Sequence, residues 1–122
     1  MSIPTIEGFA SWDQVPEQQV NEKISRKIVC GARVMMVLWR MKTGAHAALH
    51  KHPHEQIAYV VSGQMELRFR DQKKICRPGD LCVIPSGVEH EAWFPQDSIV
   101  IDIFSPPRED FFKGQDTYLK SD

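Results

Sequence analysis

The chain has 122 residues and a mass of 14.0 kDa, which is enough for one buried core and too little for a second. Its 15 basic and 16 acidic side chains are mixed along the sequence, which excludes a strongly basic surface for nucleic acid or for an anionic membrane. The N-terminus lacks a basic patch followed by an apolar run, and no apolar stretch approaches the roughly 20 residues that span a bilayer. We therefore expect a cytoplasmic location.

The first 23 residues are predicted to form a polar, irregular N-terminal arm. Such an arm is too short to fold alone, and Phe9 and Trp12 could anchor it on a neighbouring molecule. Small β-proteins carry exposed edge strands, which a second copy commonly covers. We therefore expect a homodimer.

The middle of the chain, about residues 24–105, is predicted to be a run of short strands that forms the core of a single domain, 1–122. Apolar and polar side chains alternate over residues 64–70, which predicts a strand with one wet face. In residues 33–41 both the odd- and the even-numbered positions are mostly apolar, so this strand should be covered on both faces. The predicted strands are residues 24–29, 33–41, 57–61, 64–70, 81–84, 89–94 and 99–104.

Glycine and proline turns separate these strands, and no long helix is predicted. The C-terminal segment, 106–122, should contain only a short turn or helix, since two prolines lead into acidic residues. Many short strands with frequent turns indicate an all-β sandwich or small barrel. Cys30, Cys76 and Cys82 are odd in number and scattered, which favours reduced, buried thiols over disulfides.

All five histidines fall in two short segments, with four of them within residues 46–54 and His90 alone further on. Imidazole is the commonest protein ligand for a divalent ion, and His50 and His52, two residues apart, would project from one face of a strand. With His90 arriving from another strand, the pattern favours a metal site. The alternative is that these histidines are surface or core side chains without a metal; His46 in particular is typical of a solvated loop.

The fourth donor cannot be chosen from spacing. His54 and Gln56 share the parity of His50 and His52, and only Pro53 argues that the alternation stops.

A single carboxylate interrupts the last apolar strand. Asp102 shares a face with Val100 and Phe104, and a buried, unpaired aspartate is costly, so its presence indicates a partner inside the fold. The alternatives are a structural ion pair with an arginine or a solvent-facing edge position. Arg108 follows two prolines and could bind a substrate carboxylate at the barrel mouth, or form a surface salt bridge with Glu109 or Asp110.

Two spaced motifs resemble those of the cupin family. The first has Gly44, five residues, His50, one residue, His52, three residues, Gln56, six residues and Gly63. The second has Gly79, five residues, Pro85, four residues and His90. The resemblance implies a double-stranded β-helix, a small jelly-roll barrel, with one divalent ion held by His50, His52, His90 and Gln56. Many cupins have glutamate where this chain has Gln56. Nitrogen and oxygen donors suit nickel, iron, manganese, cobalt or zinc.

The segments HKHPHEQ and IDIFSPPREDF further resemble the KdgF-type cupins, which linearise unsaturated uronate monosaccharides from pectin and alginate breakdown. This resemblance implies an enzyme whose substrate is a carboxylated sugar and whose site includes Asp102, Phe104 and Arg108. In this role Asp102 transfers protons and Arg108 holds the substrate carboxylate. Two other classes remain open: a metal-dependent dioxygenase, which would use the same three histidines, and a non-catalytic cupin that binds sugars or other small molecules.

Overall fold

A computed structural model describes residues 3–119 of the chain. Within them the chain forms ten strands, which confirms the all-β prediction. The strands are β1 (Gln18–Gln19), β2 (Ile24–Cys30), β3 (Met35–Met41), β4 (His46–His50), β5 (Glu55–Ser62), β6 (Met65–Phe69), β7 (Gln72–Cys76), β8 (Leu81–Ile84), β9 (His90–Trp93) and β10 (Ser98–Ser105). Short 3₁₀ helices lie at Trp12–Gln14, Glu109–Phe111 and Thr117–Leu119.

The strands form two antiparallel sheets whose inner faces share one core. The larger sheet has the order β1-β2-β3-β10-β5-β8 and the smaller one the order β4-β9-β6-β7. Strands that are distant in sequence are neighbours in both sheets, as expected for a jelly roll. Buried apolar side chains from both sheets form a single cluster that includes Val37, Trp39, Val60, Leu67, Ala92 and Phe104.

Strand alternation decides which side chains enter the barrel. In β10 the buried residues are Ser98, Val100, Asp102 and Phe104, as the pattern predicted. The same period holds in β6, where Met65 and Leu67 are buried. The prediction that residues 33–41 are covered on both faces is wrong in part, because Met36 lies exposed on the outer face although Leu38 is buried.

Three strands lay outside the predicted ranges: β1, β4 and β7, although a strand through His50 and His52 was expected from the spacing of the two histidines. The sequence of β4, HAALH, is rich in alanine, which has low strand propensity, and it is held by pairing with β9. The sequence of β7, QKKIC, is exposed over its first four residues and is held by backbone pairing with β6 at the sheet edge. Local composition therefore gave no signal for either strand.

Gly63 connects β5 to β6 in a conformation that favours glycine. Its φ is +81°, and a Cβ at this position would collide with the carbonyl oxygen of Asp97 and with Ser98. The motif glycine is therefore required by a close backbone approach at the end of the barrel.

The C-terminal segment is tied back to the barrel by contacts across the whole chain. Arg26 on β2 forms an ion pair with Asp116 at 2.7 Å, and both side chains are buried. Asn21 donates a hydrogen bond from Nδ2 to the carbonyl oxygen of Leu119 at 2.5 Å. These contacts place residues 108–119 over one end of the barrel.

The three cysteines are free, and Cys30 and Cys76 are buried, as predicted; Cys82 is only half-buried, because it lies on the edge strand β8. Within residues 3–119, no helix has both the length and the apolar character needed to cross a membrane.

Candidate metal centre and substrate cavity

Three histidines converge at the end of the barrel that the C-terminal segment covers. His50 ends β4 and His90 begins β9, and the two are directly opposite each other in the strand register. His52 comes from the loop after β4, so the prediction that His50 and His52 share one strand face is wrong. The turn before β5 brings His52 back, and its carbonyl oxygen accepts a hydrogen bond from the backbone of Gly87 at 2.9 Å.

Backbone carbonyls orient all three rings. His50 Nδ1 lies 2.7 Å from the Ala48 oxygen, His52 Nδ1 lies 3.0 Å from the His54 oxygen, and His90 Nδ1 lies 2.9 Å from the Val88 oxygen. Since a carbonyl only accepts, each Nδ1 carries the proton and each Nε2 keeps a free lone pair. Such outer hydrogen bonds fix the tautomer and orientation of histidine ligands in metal sites.

The triad can hold a metal ion. One ring nitrogen from each histidine lies within 4.8 Å of the others. Burial is the main cause that lowers the pKa of His50 to about 3 and that of His52 to about 4, and it also lowers the pKa of His90. His90 contributes second for His50, and Arg108 contributes second for His52. The rings are therefore neutral at pH 7, the form that binds metal.

Gln56 on β5 adds an oxygen to this group. Its Oε1 lies 3.1 Å from His52 Nε2, an atom whose lone pair is free. With the proton of His52 on Nδ1, both atoms are acceptors, so the pair can share a cation. The Nε2 of buried His90 also has no hydrogen-bond partner among the described residues. The donor set thus fits a small divalent ion.

The two remaining histidines lie elsewhere. His54 is buried, but its ring is not part of the triad, and it does not line the cavity. His46 lies on the outer face of the smaller sheet, where Nε2 contacts Glu91 at 2.6 Å and the ring stacks on Trp93. His46 therefore lies outside the metal site, as the alternative interpretation held, but the expected solvated loop is wrong, since His46 begins β4 and packs on Trp93.

The triad opens onto a cavity of about 50 Å³ inside the barrel. Three alanines from three strands leave this space free: Ala47, Ala58 and Ala92. The volume is enough for an ion with a water molecule, since about 10–15 Å³ of such space holds one water molecule. It is well below the roughly 300 Å³ at which ordinary ligand pockets begin.

Asp102 faces this cavity from the centre of the larger sheet. It is buried, it makes no ion pair within residues 3–119, and its Oδ1 has no hydrogen-bond partner there. Burial raises the pKa of Asp102 to about 6, against the lowering effect of the nearby side chains of Gln56, Trp39 and Arg108. Neither the structural arginine pair nor the solvent-facing edge applies to this carboxyl group.

Arg108 also lines the cavity, although it carries a positive charge and is only 1% exposed. Asp110 receives two hydrogen bonds from its guanidinium, from Nε at 2.8 Å and from Nη2 at 2.6 Å. Burial acts to lower the pKa of Arg108, but Asp110 and Tyr118 reverse this, and the net shift is upward. The expected pair with Asp110 exists, and it is buried at the arginine end instead of lying on the surface.

Phe104 and Tyr118 connect the metal half of the cavity to Arg108. The Phe104 ring lies edge-on to His52 and contacts the Arg108 guanidinium at 4.9 Å. Tyr118 was not predicted, yet its ring stacks on His50 at 3.7 Å and its hydroxyl lies 3.1 Å from Arg108 Nη2. Burial raises the pKa of Tyr118 to about 12, so this hydroxyl stays protonated. The sequence signal that could have indicated Tyr118 is that Tyr118 and Leu119 are two adjacent apolar residues in an otherwise polar C-terminal segment.

Comparison with known proteins agrees with this geometry. The cupin domain family matches residues 37–104, more than half of the chain. The chain belongs to the cupin family. The match includes the three histidines, Gln56 and Asp102, and it ends at Phe104, before Arg108 and the C-terminal segment.

Individual relatives confirm the resemblance to KdgF. The pectin degradation protein KdgF of Dickeya dadantii is 35% identical over 102 residues, which cover 81% of this chain and 93% of that protein. The structure of KdgF from Halomonas sp. superposes with a TM-score of 0.80 and 38% identity, and the match covers 85% of this chain and 99% of that one. An RmlC-like cupin from Shewanella frigidimarina gives a TM-score of 0.84 at 31% identity, with 89% and 99% coverage.

Proposed function

We propose that this cupin is a metal-dependent enzyme that linearises unsaturated uronate monosaccharides from pectin or alginate breakdown. The observation that carries the proposal is that the histidine triad shares its cavity with a buried arginine, Arg108, and with a buried carboxyl group, Asp102, which has no ion-pair partner within residues 3–119. The similarity to a pectin degradation protein supports the substrate class.

In this proposal His50, His52, His90 and Gln56 hold one divalent ion. When bound, the ion supplies Lewis-acid polarisation of a ring or hydroxyl oxygen of the substrate. Gln56 contributes a neutral amide where a glutamate would contribute a negative charge, so the site keeps more positive charge. This favours Lewis-acid chemistry over stable redox cycling, and the donor set suits nickel, iron, manganese, cobalt or zinc.

Asp102 is the group we assign to proton transfer. Ring opening removes the proton of the anomeric hydroxyl, breaks the bond between the anomeric carbon and the ring oxygen, and returns a proton to that ring oxygen, which leaves an aldehyde and an enol. The enol then becomes a ketone when its oxygen loses a proton and the neighbouring alkene carbon gains one. The product is an isomer of the substrate, so no oxidant or other co-reactant is needed. A buried carboxyl group can carry both protons.

Arg108 supplies the positive charge that binds the substrate carboxylate. Its planar guanidinium suits a carboxylate, and Phe104 packs against its face and against His52. A monosaccharide does not fit in about 50 Å³, so a wall of the cavity moves on binding. The wall formed by Tyr118 is the one we expect to move, because the substrate carboxylate would replace its hydroxyl as the acceptor of the hydrogen bond from Arg108 Nη2.

The direct test is loss of the alkene absorbance of an unsaturated galacturonate in the presence of the metal-loaded protein. We expect a rate well above that of the spontaneous reaction, and a return to the spontaneous rate after chelation and dialysis. Oxygen uptake coupled to substrate loss would instead indicate a dioxygenase. No acceleration with either galacturonate- or alginate-derived substrates would refute the activity and leave the family and the histidine triad unaffected.

The proposal includes a single domain that forms a homodimer. Support comes from the outer face of the larger sheet, where apolar side chains such as Tyr59, Leu81 and Val83 are exposed on neighbouring strands. Phe9 on the N-terminal arm is also fully exposed. Light scattering at micromolar concentration should give twice the chain mass, and a species of only 14.0 kDa would contradict the dimer. The cytoplasmic location stays a prediction.

A further inference from the structure

The hydrogen bonds of Arg108 divide its guanidinium into an occupied edge and an open edge. A guanidinium has five N–H donors and two edges that can each bind a carboxylate, one formed by Nε and Nη2 and the other by Nη1 and Nη2. Asp110 occupies the first edge with both carboxylate oxygens. On the second edge, Nη2 contacts the Tyr118 hydroxyl, while Nη1 has no hydrogen-bond partner among the described residues.

Aromatic rings cover the faces of the same guanidinium. Its carbon lies 4.9 Å from the ring centre of Phe104 and 4.4 Å from that of Phe111. Such packing fixes the plane of the group but leaves its direction within the plane to the hydrogen bonds. The bidentate contact with Asp110 sets that direction, and the unpartnered Nη1 then belongs to a side chain that lines the cavity.

We propose that Asp110 is a positioning residue that binds one edge of Arg108 and thereby keeps the opposite edge available for the substrate carboxylate. The substrate carboxylate accepts from Nη1 and takes the place of the Tyr118 hydroxyl on Nη2. This inference rests on the proposed function. Asp110 lies beyond the residues that the cupin family match covers.

The opposite role for Asp110 would be that of an internal competitor that the substrate displaces. The structure favours positioning, because an unpartnered buried donor on a charged group is costly and is retained where a ligand completes it. Displacement would also leave the half-buried carboxylate of Asp110 without its arginine. The two roles predict opposite signs for one measurement.

That measurement is the Michaelis constant of Asp110→Asn for an unsaturated galacturonate. We expect a rise of about tenfold with kcat changed less than about threefold, because the contact acts on substrate binding. The matched control is Glu109→Gln, which removes a negative charge from a neighbouring exposed residue whose side chain, among the described residues, makes only a distant ion pair with Lys113. This control should change neither constant. In an Arg108→Ala background, Asp110→Asn should have no further effect. A lower Michaelis constant, or an undiminished effect without Arg108, would overturn positioning.

A second variant tests the open edge. Tyr118→Phe keeps the ring on His50 and removes only the hydroxyl that the substrate is proposed to replace, so its Michaelis constant should be unchanged or lower. A rise would show that this edge is not the substrate edge. Calorimetry should show about tenfold weaker binding of galacturonate to Asp110→Asn and equal binding of galactose. Equal losses for both sugars would mean a merely structural role.

Nitrogen-15 NMR separates failure of this inference from failure of the proposed function. The Nε–H signal of Arg108 should be sharp and slow to exchange in the parent protein and broadened in Asp110→Asn, with circular dichroism confirming that the variant is folded. If no uronate is bound or converted but this difference is seen, the proposed function fails and the positioning contact stands. Identical signals in both proteins would overturn the contact whatever the substrate.

Discussion

The two halves of the site are held in place by different parts of the molecule. In the metal half, each histidine is oriented by a backbone carbonyl within two residues of it, on β4, on β9 or in the loop between β4 and β5. In the arginine half, Arg108 is oriented by side chains of the C-terminal segment, Asp110 and Tyr118. Local backbone geometry fixes one half, and side-chain packing fixes the other.

Because the two halves are held differently, different substitutions should disturb metal binding and substrate binding. The metal half depends on strand register, which is shared by the whole barrel. The arginine half depends on contacts that join distant parts of the chain, such as Arg26 with Asp116, 90 residues apart, and Asn21 with Leu119, 98 residues apart. We therefore expect substitutions that loosen the C-terminal segment to alter substrate binding while metal binding persists.

The largest expected effect is loss of the metal half. His52→Ala removes one of three nitrogen donors and should weaken metal binding by more than about 100-fold, which reduces turnover to the spontaneous rate. Elemental analysis by mass spectrometry of the dialysed protein measures this. His54→Ala is the matched control, since it removes a neighbouring buried histidine outside the triad. Equal metal content in the parent and His52→Ala would refute the site.

Asp102→Asn tests the chemistry without disturbing either half. Size is kept and the acid–base function is lost, so turnover should fall by roughly 10²- to 10⁴-fold. Metal content and the Michaelis constant should stay close to those of the parent protein. Turnover within threefold of the parent would assign proton transfer to another group.

The metal half was the more predictable of the two because its motif is local. Residue spacing indicated the histidines, and strand alternation correctly placed Asp102 and Phe104 on one inner wall. The reason given for His50 and His52 was nevertheless wrong, since β4 ends at His50 and a turn returns His52 to the site. Spacing alone also left His54 and Gln56 undecided.

The arginine half was less predictable because its partners come from side chains that share no period. Tyr118 reaches His50 and Arg108 because the C-terminal segment, held in part by the buried Arg26–Asp116 pair, lies over the barrel. The strands β4 and β7 were missed for a related reason, since pairing with β9 and β6 determines them more than their own composition. Local sequence patterns therefore could not predict the features that depend on contacts between residues far apart in the chain.

Asp116→Asn tests whether substrate binding can be weakened without loss of metal binding. It removes the charge that pairs with buried Arg26 and should lower the free energy of unfolding by about 3 kcal/mol, measured by urea denaturation. The Michaelis constant should rise while metal content is kept. Glu66→Gln, which breaks a solvent-exposed pair with Lys73, is the control and should cost less than about 1 kcal/mol. Loss of metal in Asp116→Asn would show that the halves are not independent.

The smallest effect is expected at the fourth donor, where Gln56→Ala and His54→Ala give a direct comparison. A neutral amide is the weakest donor of the proposed set, so Gln56→Ala should weaken metal binding by about tenfold, whereas His54→Ala should leave it within about twofold. Competition with a chelator of known affinity measures both. A larger loss of metal affinity in His54→Ala than in Gln56→Ala would make His54 the fourth ligand. The loop that carries His52 and His54 would then have to turn the buried His54 ring toward the triad when metal binds.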